Sequence, residues 1–242
     1  MRVVANGVGI EVDDQGPPDG EPLLLVMGLA MQLIAWPDEL LAALRARGFR
    51  VIRFDNRDIG LSQYFDRLGV PSLAWAGLRY ALRLPLRVPY TLADMAADTV
   101  GVLDALGLPS AHLCGVSMGG MIAQHVAAKH PQRVKSLTLV MTTSGDRRLP
   151  KPARAVQRAL MQRPSAHDPA AALEHMHRLL TMISSPGYRP DPQELRRRVQ
   201  LSMQRAFHPA GASRQLLAVA ADGDRSRLLK HIVAPTRVMH GR

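Results

Sequence analysis

Short apolar runs alternate with helical patterns through the first 140 residues, and this alternation most constrains how the chain can fold. A continuous apolar run such as PLLLVM at 22–27 is typical of a strand buried on both faces, as in a parallel sheet. We therefore predict an α/β fold with a mostly parallel twisted sheet and helices on both faces. The predicted strands are 3–12 (two strands around a turn), 22–27, 49–54, 110–116, 134–141 and 235–239, and the predicted core helices are 37–47, 91–106, 118–129 and 213–231.

The strand predicted at 110–116 leads directly into the run GVSMG at 115–119, which fits the pattern G-x-S-x-G. A helix is predicted next, and this strand–serine–helix order is typical of a nucleophile elbow. Gly115 and Gly119 have a physical reason, because the turn is tight and side chains there would clash. The motif predicts that Ser117 is a nucleophile; the alternative is a glycine-rich turn without chemistry.

Acyl transfer at a serine also needs N–H donors for the oxyanion that forms. The first would be the backbone N–H of Met118, which follows the nucleophile. The second would come from the loop after the strand at 22–27, where Gly28 allows close approach of the backbone and Leu29 N–H is the candidate. A leucine is compatible with this role because only its backbone is used. The alternative for Gly28 is a turn that only ends the strand.

Several segments resemble the α/β-hydrolase fold family, in its esterase and lipase-like branch, and are similar to the aclacinomycin methylesterase-like group. The resemblance implies a serine hydrolase of carboxylic esters without cofactor or metal. Serine at the elbow argues against dehalogenase and epoxide-hydrolase relatives, which use aspartate, whereas thioesterase and aminopeptidase chemistry stay open. The resembling segments are LLLVMGLAMQLIAWP (23–37), RFDNRDIGLS (53–62), YTLADMAADTVGVLDALG (90–107), CGVSMGGMIAQHVAAKHPQRV (114–134) and APTRVMHG (234–241).

The polar run DNRD at 55–58 follows a predicted strand. The resemblance implies that this loop is mostly structural, with aspartate and arginine bracing the site through hydrogen bonds. Two positions depart from many relatives. Met27 stands where many have histidine, and Asp58 stands where many have glycine. Neither departure affects a backbone N–H role.

In this family the catalytic acid and histidine follow the serine in the chain. The acid usually follows the strand that matches 235–239, and the histidine follows one further strand. We therefore expect both beyond residue 242, together with the last strand and helix of the fold, and we expect residues 1–242 alone to be nearly inactive. Asp146 is an alternative acid. The alternative function is a truncated or degenerate hydrolase that only binds a ligand or partner.

The alternation stops near residue 147, and helical patterns interrupted by prolines follow. We expect a first part of the core at 1–146, a helical cap or lid insertion at 147–212, and a continuation of the core at 213–242. Leucine, methionine and alanine on the helices of the insertion predict a lid over an apolar pocket. This composition favours a hydrophobic small-molecule ester as the substrate.

The chain is strongly basic, with a formal net charge of +11 at pH 7. Its arginines are scattered and no nucleic-acid-binding motif accompanies them, so a solvated basic surface is favoured over nucleic-acid binding. Cys114 is the single cysteine, which excludes an intrachain disulfide. No apolar run is long enough to span a membrane. We expect a cytoplasmic protein without a metal, cofactor, nucleic-acid or membrane partner.

Overall fold

Seven strands form one sheet in the computed structural model, which describes residues 1–150, 152–162 and 168–241. The strands are β1 Arg2–Ala5, β2 Val8–Gln15, β3 Glu21–Val26, β4 Phe49–Phe54, β5 Ala111–Val116, β6 Val134–Val140 and β7 Thr236–Met239. The helices of the described residues are α1 Asp38–Arg45, α2 Leu73–Ala81, α3 Leu92–Ala105, α4 Met118–Lys129, α5 Arg154–Met161, α6 Pro169–Ile183, α7 Pro192–Arg205, α8 Pro209–Asp222 and α9 Ser226–Leu229.

The sheet order is β1-β2-β4-β3-β5-β6-β7. The pairs β1–β2 and β2–β4 are antiparallel, and all the other pairs are parallel. The predicted mostly parallel α/β sheet is therefore confirmed. Within the described residues β7 lies at one edge of the sheet, and its four residues are exposed.

Successive residues of β3 supply the cores on the two faces of the sheet. Leu24 and Val26 pack in the core that contains residues of α3 and α4. Leu23 and Leu25 pack in the smaller core, which contains Leu41 of α1. Because side chains alternate across a strand, a continuous apolar run can bury both faces, and helices cover both sides as predicted.

Two sequence predictions were wrong in their bounds. No helix was predicted between residues 54 and 91, but α2 lies there. It begins after Ser72, whose side chain accepts a hydrogen bond from Trp75 N. The helix predicted at 213–231 is two helices, α8 and α9. Helix α8 begins earlier than predicted because Pro209 suits a first helical turn. It ends where Gly223 adopts a φ of 68°.

The described residues of the stretch 147–212 contain α5, α6, α7 and the start of α8, joined by turns and irregular segments. No helix of the described residues is long and apolar enough to cross a membrane.

Candidate active site

Ser117 lies between the end of β5 and the start of α4, in a backbone conformation that non-glycine residues rarely adopt. Its φ is 53° and its ψ is −118°. Such a conformation costs on the order of 1–3 kcal/mol and persists only when the surroundings enforce it. Here Ser117 N donates to Val140 O at 2.9 Å, and Thr142 Oγ1 donates to Ser117 O at 2.8 Å. These contacts with β6 and the residues after it therefore help to hold the strained turn in place.

The glycines around Ser117 allow contacts that a side chain would block. A Cβ on Gly115 would lie 2.4 Å from Gly119 O, and a Cβ on Gly119 would lie 2.1 Å from Val26 O. Both distances are far below normal contact, so α4 can sit against β3 and β5 only with glycine at these positions. Gly28 faces the serine itself, because a Cβ there would lie 3.3 Å from Ser117 Cβ and 3.9 Å from its Oγ.

Two backbone N–H groups near Ser117 are free of hydrogen bonds within the described residues. Met118 is the first residue of α4, so its N–H has no partner within the helix. Leu29 follows Gly28, and its N–H likewise donates to no described group. Free N–H groups in this position can donate to a negatively charged oxygen bound at the serine.

The loop that carries Leu29 is held by polar side chains from two directions. Asn56 Nδ2 donates to Met27 O at 2.9 Å. On the other side Ala30, which has a φ of 59°, donates its N–H to Gln215 Oε1 of α8 at 3.0 Å. Gln215 is fully buried, and its Nε2 donates to Arg57 O at 2.9 Å. One glutamine thus joins this loop to the polar loop at 55–58.

Asp55 joins the loop that follows β3 to helix α7. Its carboxylate accepts from Leu33 N at 2.7 Å and from Leu61 N at 2.9 Å, and it forms an ion pair with Arg205 of α7 at 2.7 Å. Burial raises the pKa of Asp55 above its usual value, although these three donors act in the opposite direction. Arg205 Nη1 also donates to Gln32 Oε1 at 2.7 Å.

Asp58 has a φ of 70° and forms a bidentate ion pair with Arg214 of α8, with both distances 2.7 Å. Both side chains are fully buried. Arg214 also donates to Gly69 O and to Asp66, which is largely exposed. The loop at 55–58 therefore stabilises its surroundings through hydrogen bonds, as the resemblance implied. Asp58 fixes α8 through its ion pair with Arg214.

Sequence reasoning missed Arg205, Arg214 and Gln215. Each contacts a residue at least 150 positions away in the chain. A polar residue within a helical pattern gives no sign that it is buried. The only local signal was Asp58, a charged residue where many relatives have glycine, because a buried charge needs an oppositely charged partner.

No described histidine forms a hydrogen bond with Ser117 Oγ. His112 bonds Ser136 Oγ, His125 bonds Asp222 at 2.8 Å, and His208 contacts Asp66. His167 lies outside the described residues. Asp146, the alternative acid, follows β6 and forms an ion pair with Arg148 at 2.7 Å, and the hydrogen bond from Arg148 lowers the pKa of Asp146.

Cys114 is half-buried on β5, three residues before Ser117. Burial raises the pKa of its thiol to about 11, which keeps it protonated at neutral pH. The described residues contain no group of three His, Cys, Asp or Glu side chains that could hold a metal ion.

Known sequences show the same resemblance. The chain is 32% identical over 200 residues to rhodomycin D methylesterase from Streptomyces peucetius, covering 82% of this chain and 60% of that protein. It is 36% identical over 126 residues to an enzyme of the same name from Streptomyces sp. strain C5, covering 52% of this chain and 36% of that protein. The chain thus spans 60% or less of the length of these two relatives.

Solved structures share the fold. A hydrolase from Pseudomonas aeruginosa superposes with a TM-score of 0.68 at 27% identity, covering all of this chain and 79% of that one. A meta-cleavage product hydrolase from Pseudomonas fluorescens gives a TM-score of 0.72 at 22% identity over the same shares, which shows the fold alone. A family model described as the alpha/beta hydrolase fold matches residues 21–180. The chain therefore belongs to the α/β-hydrolase fold family, which its resemblance to the two methylesterases supports.

Proposed function

We propose that this protein is a serine hydrolase that cleaves a carboxylic ester of a hydrophobic small molecule through an acyl-enzyme on Ser117. The observation that carries the proposal is the backbone of Ser117, at a φ of 53°, at the start of α4 and directly opposite Gly28. Strained conformations concentrate where function requires them. This one places the Ser117 hydroxyl beside Gly28, and the residues with the two free N–H groups, Met118 and Leu29, directly follow Ser117 and Gly28 in the chain.

In the proposed reaction Ser117 Oγ attacks the ester carbonyl carbon and loses its proton to a histidine. The Met118 and Leu29 N–H groups bind the oxygen that becomes negative. Collapse of the tetrahedral intermediate breaks the bond to the alcohol oxygen, and the histidine returns the proton to it. Water then releases the acid by the same steps. The histidine and its acid partner are expected after Ser117 in the chain, as in the family order.

The substrate class rests on the relatives and on the insertion. Two relatives are named methylesterases, which supports a carboxylic ester and makes methyl esters the first substrates to test. We propose that residues 147–212 form a lid over the site. The loop after β3 that carries Leu29 and Gln32 is here called the candidate donor loop. Its contact with α7 supports a lid, because Arg205 bonds both Gln32 and Asp55. In this proposal Gly28, Gly115 and Gly119 allow the close contacts that keep Ser117 and the two N–H donors in their relative positions.

The test compares Ser117→Ala with Ser185→Ala in the complete translation product of the reading frame. Ser185 is exposed in the turn before α7, so its loss should leave activity unchanged. Ser117→Ala should lower kcat on p-nitrophenyl and methyl esters by about 10⁴- to 10⁶-fold. A fluorophosphonate should label Ser117 in the parent protein, as mass spectrometry of the labelled peptide would show.

Either of two results would count against this proposal. Ester turnover that survives Ser117→Ala would place the nucleophile elsewhere. Ester binding without turnover or labelling would favour a hydrolase-fold protein that only binds a ligand. Residues 1–242 expressed alone should stay close to background turnover, because no described histidine forms a hydrogen bond with Ser117 Oγ.

A further inference from the structure

Residues 67–88, here called the α2 segment, expose more apolar surface than a water-facing helix needs. None of the residues of α2 is buried. Trp75 is 60% exposed, Leu78 47%, and Leu82, at the end of the helix, 60%. These residues are three and four positions apart, so they lie along one side of the helix. Further exposed apolar residues of the segment are Leu68, Val70, Tyr80 and Leu84.

The charge of the α2 segment has a single sign. It contains four arginines, and no acidic residue occurs from 67 to 93. None of these arginines forms an ion pair within the described residues. Arg147 adds a further positive charge, because its guanidinium lies 4.8 Å from the ring centre of Tyr80. The arginines of the segment are Arg67, Arg79, Arg83 and Arg87.

We propose that the α2 segment binds an anionic lipid surface. An apolar stripe with a tryptophan, flanked by arginines, matches the chemistry of a membrane interface. Trp75, Leu78 and Leu82 would enter the boundary between headgroups and acyl chains. The arginine stems would cover apolar surface while their guanidinium groups reach lipid phosphates. This is attachment to a surface, which requires no membrane-spanning helix.

A second copy of the chain fits this surface less well. Each copy carries a net charge of +11 and the same arginines, so two α2 segments would repel one another. The uncompensated charge instead calls for a partner rich in negative charge. The lipid proposal is also independent of the proposed reaction, because it uses no residue of the Ser117 site. Ser117→Ala should therefore bind lipid as the parent protein does.

The protein contains its own probe for the test. It has two tryptophans, and Trp36 is only 5% exposed whereas Trp75 is 60% exposed. A shift of fluorescence to shorter wavelength on adding vesicles therefore reports that Trp75 has left water. The vesicles are phosphatidylcholine alone, or phosphatidylcholine with about one third phosphatidylglycerol, which gives the negative surface potential of a cytoplasmic leaflet. Co-sedimentation gives the bound fraction.

We expect a fluorescence shift and co-sedimentation with the anionic vesicles, both decreasing as salt is raised. The double variant Leu78→Glu/Leu82→Glu should bind at least about tenfold more weakly, since it places charge in the apolar stripe. Arg83→Glu/Arg87→Glu should remove the preference for anionic vesicles. Tyr188→Ala is the matched control, because Tyr188 is 89% exposed in the insertion. Circular dichroism melting checks that each variant is folded.

Three outcomes overturn the proposal. The first is no binding to anionic vesicles by the folded parent protein. The second is equal binding to neutral and anionic vesicles. The third is a fluorescence shift without lipid that depends on protein concentration and accompanies dimer formation in light scattering, which would assign the surface to a second copy.

Discussion

The sheet core and helices α5–α7, here called the insertion because they lie between β6 and β7 in the chain, are stabilised in different ways. In the core, α3 and α4 bury eight and nine residues. In the insertion, α5, α6 and α7 bury one residue each, namely Ala159, Ala172 and Val199. Apolar packing and close backbone contact therefore fix the serine turn. The insertion cannot rely on the same source of stability.

Buried polar side chains take that role where the insertion meets the core. Arg205 bonds Asp55, Arg214 bonds Asp58, and Gln215 bonds Ala30 N. A substitution in the packed core is destabilising when the new atoms overlap with their neighbours. A substitution at the polar junction is destabilising when it leaves a buried polar group without its partner. The candidate donor loop depends on both regions, since β3 leads into it and side chains of α7 and α8 hold it from the other side.

The largest effect should come from Gly119→Ala in the core. The added Cβ would lie 2.1 Å from Val26 O, a backbone atom that cannot move without displacing β3. We expect loss of folded protein, or a fall in the unfolding free energy of more than about 4 kcal/mol. Urea unfolding and the yield of folded protein measure it.

Gly187→Ala is the matched control in the insertion. A Cβ there would meet nothing within 4 Å. The unfolding free energy should change by less than about 0.5 kcal/mol. Wild-type stability of Gly119→Ala would contradict the close contact between α4 and β3.

A smaller effect is expected at the junction, from Asp58→Asn. The change leaves the guanidinium of Arg214 fully buried without its carboxylate, which should cost about 3–5 kcal/mol of unfolding free energy. Asparagine tolerates the positive φ at this position, so backbone strain should not contribute. The double variant Asp58→Asn/Arg214→Met should recover part of the loss in urea unfolding.

Asp66→Asn gives the comparison for the same arginine. Asp66 also accepts a hydrogen bond from Arg214, but its side chain is 63% exposed. Its replacement should cost less than about 1 kcal/mol. Equal losses for the two substitutions would show that burial does not set the strength of this junction.

A smaller effect on stability than that of Asp58→Asn, with a distinct effect on activity, is expected from Gln215→Leu. Leucine keeps much of the volume but leaves Ala30 N–H and Arg57 O without their partner. If the donor loop then shifts, kcat on a test ester should fall about 10- to 100-fold with KM nearly unchanged. Titration with a fluorophosphonate corrects for inactive protein.

Gln193→Leu, at an exposed position of α7, should leave both kinetic parameters unchanged. A destabilised Gln215→Leu with full kcat per labelled site would assign Gln215 a purely structural role. It would also show that the polar junction affects stability without affecting catalysis.

The core could be predicted from the sequence because its signals are local. The bounds predicted for β4 and α4 agree with the structure, and the helix predicted from residue 91 is α3, with Thr91 as its N-cap. The Ser117 motif is contained in five adjacent residues. The roles of Ser117, Leu29 and Met118 remain predictions, although the geometry around them is compatible with those roles.

The junction could not be predicted for a physical reason. Gln215 meets Ala30 across 185 positions of sequence, and Arg214 meets Asp58 across 156. Such pairs leave no periodic pattern. The start of α8 was missed because prolines after residue 147 were interpreted as interruptions, whereas Pro209 begins α8. Helix α2 was not predicted at all.

The positive φ of Asp58 has a consequence for how this chain could have diverged from its relatives. A side chain in that backbone conformation costs on the order of 1 kcal/mol compared with glycine, and the ion pair with Arg214 offsets the cost. Neither residue is favourable alone, so the two positions should be inherited together. Lineages with glycine at the first position should carry an uncharged residue at the second, and a change between the two states should require a paired substitution.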